Sequence, residues 1–187
     1  MTQTTARPTT QTPRTIHNKT QRDTVTFLTR TDGTCDTFVE VELAPGGGTP
    51  LHTHTEHFTR LQGTLGLHLD GQQLALQPGE SATVPIGAVH RFYNATSEMT
   101  IFRAIIAPGH RGFEQSLILN YGLVDDDRTN PAGMPKSLMH LALLADLCDV
   151  RLVGRMAVMN PVIGLLARVA RRRGLLDELI QRYDPRE

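Results

Sequence analysis

The feature that most constrains the fold is the density of short alternating runs between residues 23 and 107. "TVTFLT" and "TFVEVEL" alternate apolar and polar residues, the period of half-buried strands, and "APGGG" breaks the second. "LGLHLDGQQLAL" reads as two strands about an Asp70-Gly71 hairpin turn. "SATVP", "VHRFYN" and "MTIFRAII" follow, each set off by Gly, Pro or polar residues. Many short strands in close succession specify a β-sandwich or barrel and argue against a parallel α/β sheet.

After Pro108 the period changes. "GFEQSLILNYGL" places Phe113, Leu117, Ile118 and Tyr121 at helical spacing. "DDDRTNPAGMP" reads as a loop, and "SLMHLALLADLCDV" as an apolar helix with Ser137 as its N-cap. Asn160-Pro161 has the cap and first-turn residues of another helix, "PVIGLLARVARRR", ending before Gly174, and "LLDELIQRY" is a last short helix. Residues 1–22 hold eight threonines, two prolines and no acid. So little apolar surface cannot offset the entropy of ordering, and a flexible basic tail is expected there. The layout is therefore tail (1–22), β-domain (23–107) and helical C-terminal extension (108–187).

The chain has 187 residues, 19 Lys+Arg and 19 Asp+Glu, for a formal net charge of zero. No global field recommends nucleic acid as a partner. No apolar run is long enough to span a bilayer, and residues 1–22 lack the apolar core of a secretion signal, so a cytoplasmic location is expected. Cys35 and Cys148 are far apart in sequence and read as two ordinary thiols. Residues 151–187 carry eight Arg and four Asp+Glu, a net +4. With Leu, Ile and Val on the opposite face, that segment reads as an amphipathic helix with a solvated Arg face, not as a nucleic-acid or membrane site.

Two stretches carry the chemistry. "GGGTPLHTHTEHFTRLQG" crowds three histidines and a glutamate into six residues, and "GESATVPIGAVHRFYN" supplies another histidine. His52 and His54 are two apart, so on a strand both point to one face. Together the two stretches resemble the paired motifs of the cupin superfamily, the double-stranded β-helix barrels. Gly46, His52, His54, Glu56 and Gly63 fill the first motif; Gly79, Pro85, Gly87, His90 and Asn94 fill the second at every spacing. The resemblance covers residues 23–107. It implies a mainly β fold, a single cupin (type-2) barrel carrying the helical extension, with His52, His54, Glu56 and His90 as ligands of one divalent metal ion. A mixed N/O set of this kind suits Fe, Mn, Ni, Co, Cu or Zn. In one respect the chain departs from the family. Only Thr55 separates His54 from Glu56, where the family has three or four residues. Glu56 keeps the six-residue spacing to Gly63; His57 is the alternative ligand if the shortened turn slips the register by one.

Alternation from Glu56 also turns Phe58 and Arg60 inward, and from His90 it turns Phe92 inward. These three are the candidate ligand contacts. A buried Arg60 would pair with an internal carboxylate or hold an anionic substrate group. His68 and His110 read as surface or capping residues, and Asn94 as a maker of turn hydrogen bonds. Two functions are open. One is a metal-dependent enzyme acting on a small molecule inside the barrel, with dioxygenase-like or isomerase-like chemistry. The other is a non-catalytic ligand-binding or sensor module. The apolar stripe of Leu138, Leu141, Leu144 and Leu147 further suggests a homodimer.

Overall fold

The computed structural model describes residues 13–49, 56–85, 87–149 and 154–185. Among these residues nine strands come first: β1 (Arg14–Asn18), β2 (Asp23–Thr29), β3 (Thr37–Leu43), β4 (Glu56–Gln62), β5 (Leu65–Leu69), β6 (Gln72–Leu76), β7 (Ser81–Val84), β8 (His90–Tyr93) and β9 (Thr100–Ile106). They form a six-stranded sheet, β1-β2-β3-β9-β4-β7, and a three-stranded sheet, β6-β5-β8. Every one of these pairings is antiparallel, and short connections join the consecutive pairs β1–β2, β2–β3 and β5–β6. The β5–β6 hairpin turns on Asp70 and Gly71, at φ 45° and 86°. Both central residues are left-handed, the geometry that matches strand twist and selects Asp-Gly.

Burial follows alternation. β3 buries Thr37, Val39, Val41 and Leu43, and β9 buries Thr100, Phe102, Ala104 and Ile106. Between the sheets, Phe58, Phe92 and Phe102 meet edge to face at centroid distances of 6.0, 5.8 and 4.9 Å. Each ring comes from a different strand, so the trio joins β4, β8 and β9 into one core.

Residues 14–18, expected within the flexible tail, are instead strand β1, paired with β2 from Arg14↔Phe27 to Asn18↔Asp23. Composition misled because the strand borrows its stability from elsewhere. Ile16 is its one buried apolar residue, but Asn18 accepts from the amides of Thr20 and Gln21, and Arg14 pairs with Asp184 at 2.9 Å.

The extension is helical as expected: α1 (Arg111–Asp125), α2 (Leu138–Leu147), a short 3-10 turn (Gly154–Met159), α3 (Asn160–Arg172) and α4 (Leu175–Tyr183). Ser137 caps α2 by accepting from the His140 amide. Asn160, expected as a cap, is the first residue of α3; Met159 takes the cap position without a side-chain bond. α1 is the joint of the molecule. Its Ile118 and Tyr121 enter the barrel core, while Leu119 and Leu123 join Leu143, Leu144, Ala170 and Leu179 in a second core. The α2 stripe is thus largely covered within the chain, with Leu143 and Leu144 buried, although Leu138 stays 68% exposed. Other exposed apolar residues of the extension are Met134, Val158, Met159, Val162 and Leu165.

Candidate functional site

Strand β4 begins the site. Its inward positions are Glu56, Phe58 and Arg60, all buried, whereas His57 faces outward and bonds Thr83 Oγ1 through Nδ1 at 2.8 Å. Of the two candidates for the carboxylate position, the strand therefore turns Glu56 to the interior. Gly63 ends the strand at φ 77°, where an added Cβ would lie 2.5 Å from the Met99 carbonyl; the motif needs glycine there.

His90 opens β8 and is fully buried. Its Nδ1 lies 3.1 Å from the Ala88 carbonyl and its Nε2 lies 3.2 Å from Glu56 Oε2. A carbonyl only accepts, so Nδ1 carries the proton. Nε2 then faces a carboxylate oxygen, at a distance where a proton or a metal cation can serve both. A ring whose Nδ1–H is held by a backbone carbonyl is the usual posture of a metal-ligating histidine. The spacing fits too. Bonds of about 2.1 Å put adjacent donors roughly 3.0 Å apart at a right angle and roughly 3.4 Å apart in a tetrahedron. The nitrogen and oxygen present therefore suit a divalent transition metal. His52 and His54 lie outside the described residues, and among the described residues no cluster of three or more His, Cys, Asp or Glu side chains could hold a metal.

Glu56 lines a cavity of ≈ 340 Å³ between the barrel and the extension. Phe92 lines it as well; Phe58 and Arg60, expected to touch a ligand, do not. Alternate residues on a strand share a face but not a depth. Two steps of about 6.6 Å separate the Glu56 and Arg60 backbones by roughly 13 Å. Phe58 stands between them and packs against His90, centroids 6.1 Å apart. The Arg60 guanidinium is 1% exposed, and none of its three nitrogens has a hydrogen-bond partner. Burial pushes its pKa down, with the Glu80 charge opposing.

Several functional candidates were invisible in sequence because they depend on packing between distant segments. Tyr121 lines the cavity and donates to Asp23 Oδ2 at 2.8 Å, which pins α1 to β2. Burial pushes the Asp23 carboxyl up to about 6, the Tyr121 bond opposing, and Asp23 Oδ1 has no partner. Tyr121 itself is raised, first by burial and then by the Asp23 charge. Cys148 also lines the cavity, and burial raises its thiol, which keeps it protonated and unlike a metal-ligating thiolate. Away from the cavity, Glu114 accepts from the Thr31 amide and the Thr37 hydroxyl. Asp184 is gripped by Arg14 and, through two nitrogens, by Arg30. His110 takes the capping role: Nδ1 accepts from the Phe113 amide at 2.9 Å, so Nε2 holds the proton shared with Asp149. His68 lies on β5, partly exposed. Asn94 bonds the Leu43 and Glu98 carbonyls and the Thr96 amide and hydroxyl, closing a turn.

The family model described as "Cupin domain" matches residues 39–106. An uncharacterized protein of Aquifex aeolicus (strain VF5) is 44% identical over 64 residues, covering 33% of this chain and 52% of the relative. The chain thus spans about half the length of the curated relative it matches. Similar solved structures include the cupin domain of an XRE family transcriptional regulator from Enterobacter cloacae. It is 22% identical, covers 46% of this chain and 95% of that one, and has a TM-score of 0.42. A predicted oxalate decarboxylase of Thermotoga maritima is 22% identical, with 54% and 95% covered and a TM-score of 0.45. An RmlC-like cupin of Shewanella frigidimarina is 19% identical, with 52% and 86% covered and a TM-score of 0.46. Residues 39–106 thus match the cupin domain, and within them the strands pair antiparallel with Glu56 and His90 turned inward.

Proposed function

We propose that the chain is a metal-binding cupin that acts on a small molecule in the cavity above Glu56 and His90. One observation carries the reading: the buried Glu56 Oε2 and His90 Nε2 face each other at 3.2 Å, with Glu56 at the edge of an apolar cavity. His52 and His54 complete the ligand set by resemblance. A divalent metal held there supplies Lewis acidity for isomerase-like chemistry or, with Fe, Cu or Ni, activation of dioxygen for dioxygenase-like chemistry. The chain's own residues do the rest. Ala88 fixes the His90 tautomer, Phe58 buttresses the His90 ring, and Glu56 would hold the metal with His90 and temper its charge. The helices of the extension cover one side of the cavity. The exposed apolar row of Val158, Val162 and Leu165 supports a homodimer, which sedimentation would test as a concentration-dependent mass.

Metal analysis of untagged protein tests the site. The expected result is about one transition metal ion per chain. His90→Ala should lose most of it, Glu56→Gln should bind more weakly, and His57→Ala should bind normally. Full occupancy in His90→Ala, or no uptake by the wild type from any of the six metals, would overturn the reading.

A further inference from the structure

Most of the cavity wall, 15 of the 22 described lining residues, comes from outside the segment matched to the cupin domain. Val39, Val41, Ala104 and Ile106 form the barrel side; Phe113, Leu117, Met134, Leu141 and Leu144 form the side contributed by the extension. Glu56 is the one charged residue among the described lining residues. The polar groups on the extension side are neutral and mostly engaged. Tyr121 bonds Asp23, and Ser116 bonds the Leu144 carbonyl at 3.4 Å. Asn120 Oδ1 alone is buried without a partner. Arg60, the cation that alternation offered for an anionic ligand, lies outside the wall. The chemistry of the wall is thus one-sided: one charged group at Glu56, a few neutral polar groups, and hydrocarbon over most of the rest. A second charge on the ligand would be buried against aliphatic side chains with no counter-ion among the described lining residues, a cost of several kcal/mol. A volume of ≈ 340 Å³ is a little over twice the ~150 Å³ that admits benzene.

We infer that the occupant is a single-headed, mostly hydrocarbon molecule of roughly a dozen heavy atoms. Its one oxygen function meets Glu56, behind which His90 lies, and its uncharged body lies under α1, α2 and Met134, so that the extension sets specificity. This rests on the proposed function only for the head-group end; the body's preference follows from the wall alone.

The test uses full-length protein carrying Cys35→Ser, so that Cys148 in the cavity wall is the sole thiol. The probes are 4-alkylphenols from ethyl to hexyl, and 4-(4-hydroxyphenyl)butanoate, which replaces the terminal methyl of 4-butylphenol by a carboxylate. Binding is read by calorimetry and by slowed alkylation of Cys148 with N-ethylmaleimide. Affinity should rise about fourfold per methylene until the cavity fills, and the carboxylate should bind at least tenfold more weakly than 4-butylphenol, roughly the weight of one uncompensated charge. Met134 is 43% exposed, so Met134→Lys should fold and shift preference toward the carboxylate. Affinity independent of chain length, or equal binding of the carboxylate and 4-butylphenol by the wild type, would overturn the inference. Both series are run on chelator-treated and metal-supplemented protein. Chain-length dependence in both, with no metal uptake, overturns the metal reading alone. Metal uptake without chain-length dependence overturns this inference alone.

Discussion

Asp23→Asn should make the protein more stable at neutral pH and leave it nearly unchanged in acid. Asp23 is 5% exposed and accepts one bond, from Tyr121, while its second oxygen has none. Its folded carboxyl is pushed from 3.8 up to about 6, so the native state holds this proton more tightly than the unfolded chain does. The stabilisation from the protonated form is therefore complete below about pH 4 and is lost as pH rises to about 6. The shift of about two units corresponds to about 3 kcal/mol at neutral pH, an upper-end figure for a carboxyl that retains some solvent. Asparagine keeps an acceptor for Tyr121 and cannot ionise. Urea unfolding of both proteins between about pH 4 and 7 isolates the contribution, because every other carboxyl cancels in the difference. The stability of Asp23→Asn relative to wild type should climb by about 2–3 kcal/mol over that range. A difference that stays flat within about 0.5 kcal/mol would refute the reasoning, since Asp23 would then be solvated or paired in the folded state.

Arg60→Met should raise stability by about 1–4 kcal/mol in urea unfolding, because an unpartnered buried guanidinium is replaced by a hydrocarbon of similar reach; destabilisation would show that the cation has a partner. Asn94→Ala should cost about 2–3 kcal/mol, since Asn94 is 1% exposed and the carbonyls and amide of its turn would be left unsatisfied. His110→Ala should cost about 0.5–2 kcal/mol through loss of the α1 cap, a change visible as a lower unfolding midpoint with an unchanged urea slope.

What was legible in the sequence was local. Alternation in "TFVEVEL" and "MTIFRAII" gave strands with the expected faces, Asp70-Gly71 gave the hairpin, and Ser137 gave the α2 cap. The same alternation turned Glu56, Phe58 and Arg60 inward, but it has no measure of depth. That is why Phe92 reached the cavity while Phe58 and Arg60 did not. Strand β1 was illegible for a different reason. Its partners are Asp184, 170 residues away from Arg14, and a neighbouring strand that supplies the ladder. Tyr121 and Asp23 were likewise unreadable as a pair, since each is unremarkable in its own segment and their bond exists only once α1 lies across β2.

The extension and the barrel are one energetic unit, and that bears on the site. α1 places Ile118 and Tyr121 in the barrel core and Leu119 and Leu123 in the helical core, so neither core is complete without it. Glu114 on α1 ties it to the segment joining β2 and β3, while Asp184 beyond α4 holds Arg14 on β1 and Arg30 beyond β2. These carboxylates are about 2% exposed or less, so they bind the layers without much screening by salt. The cavity lies between the two parts, walled by both. An occupant that fills it adds contacts to each core at once and so stabilises the whole fold in proportion to the logarithm of its concentration. The same walls that select an uncharged body thus couple occupancy of the site to the stability of the entire chain.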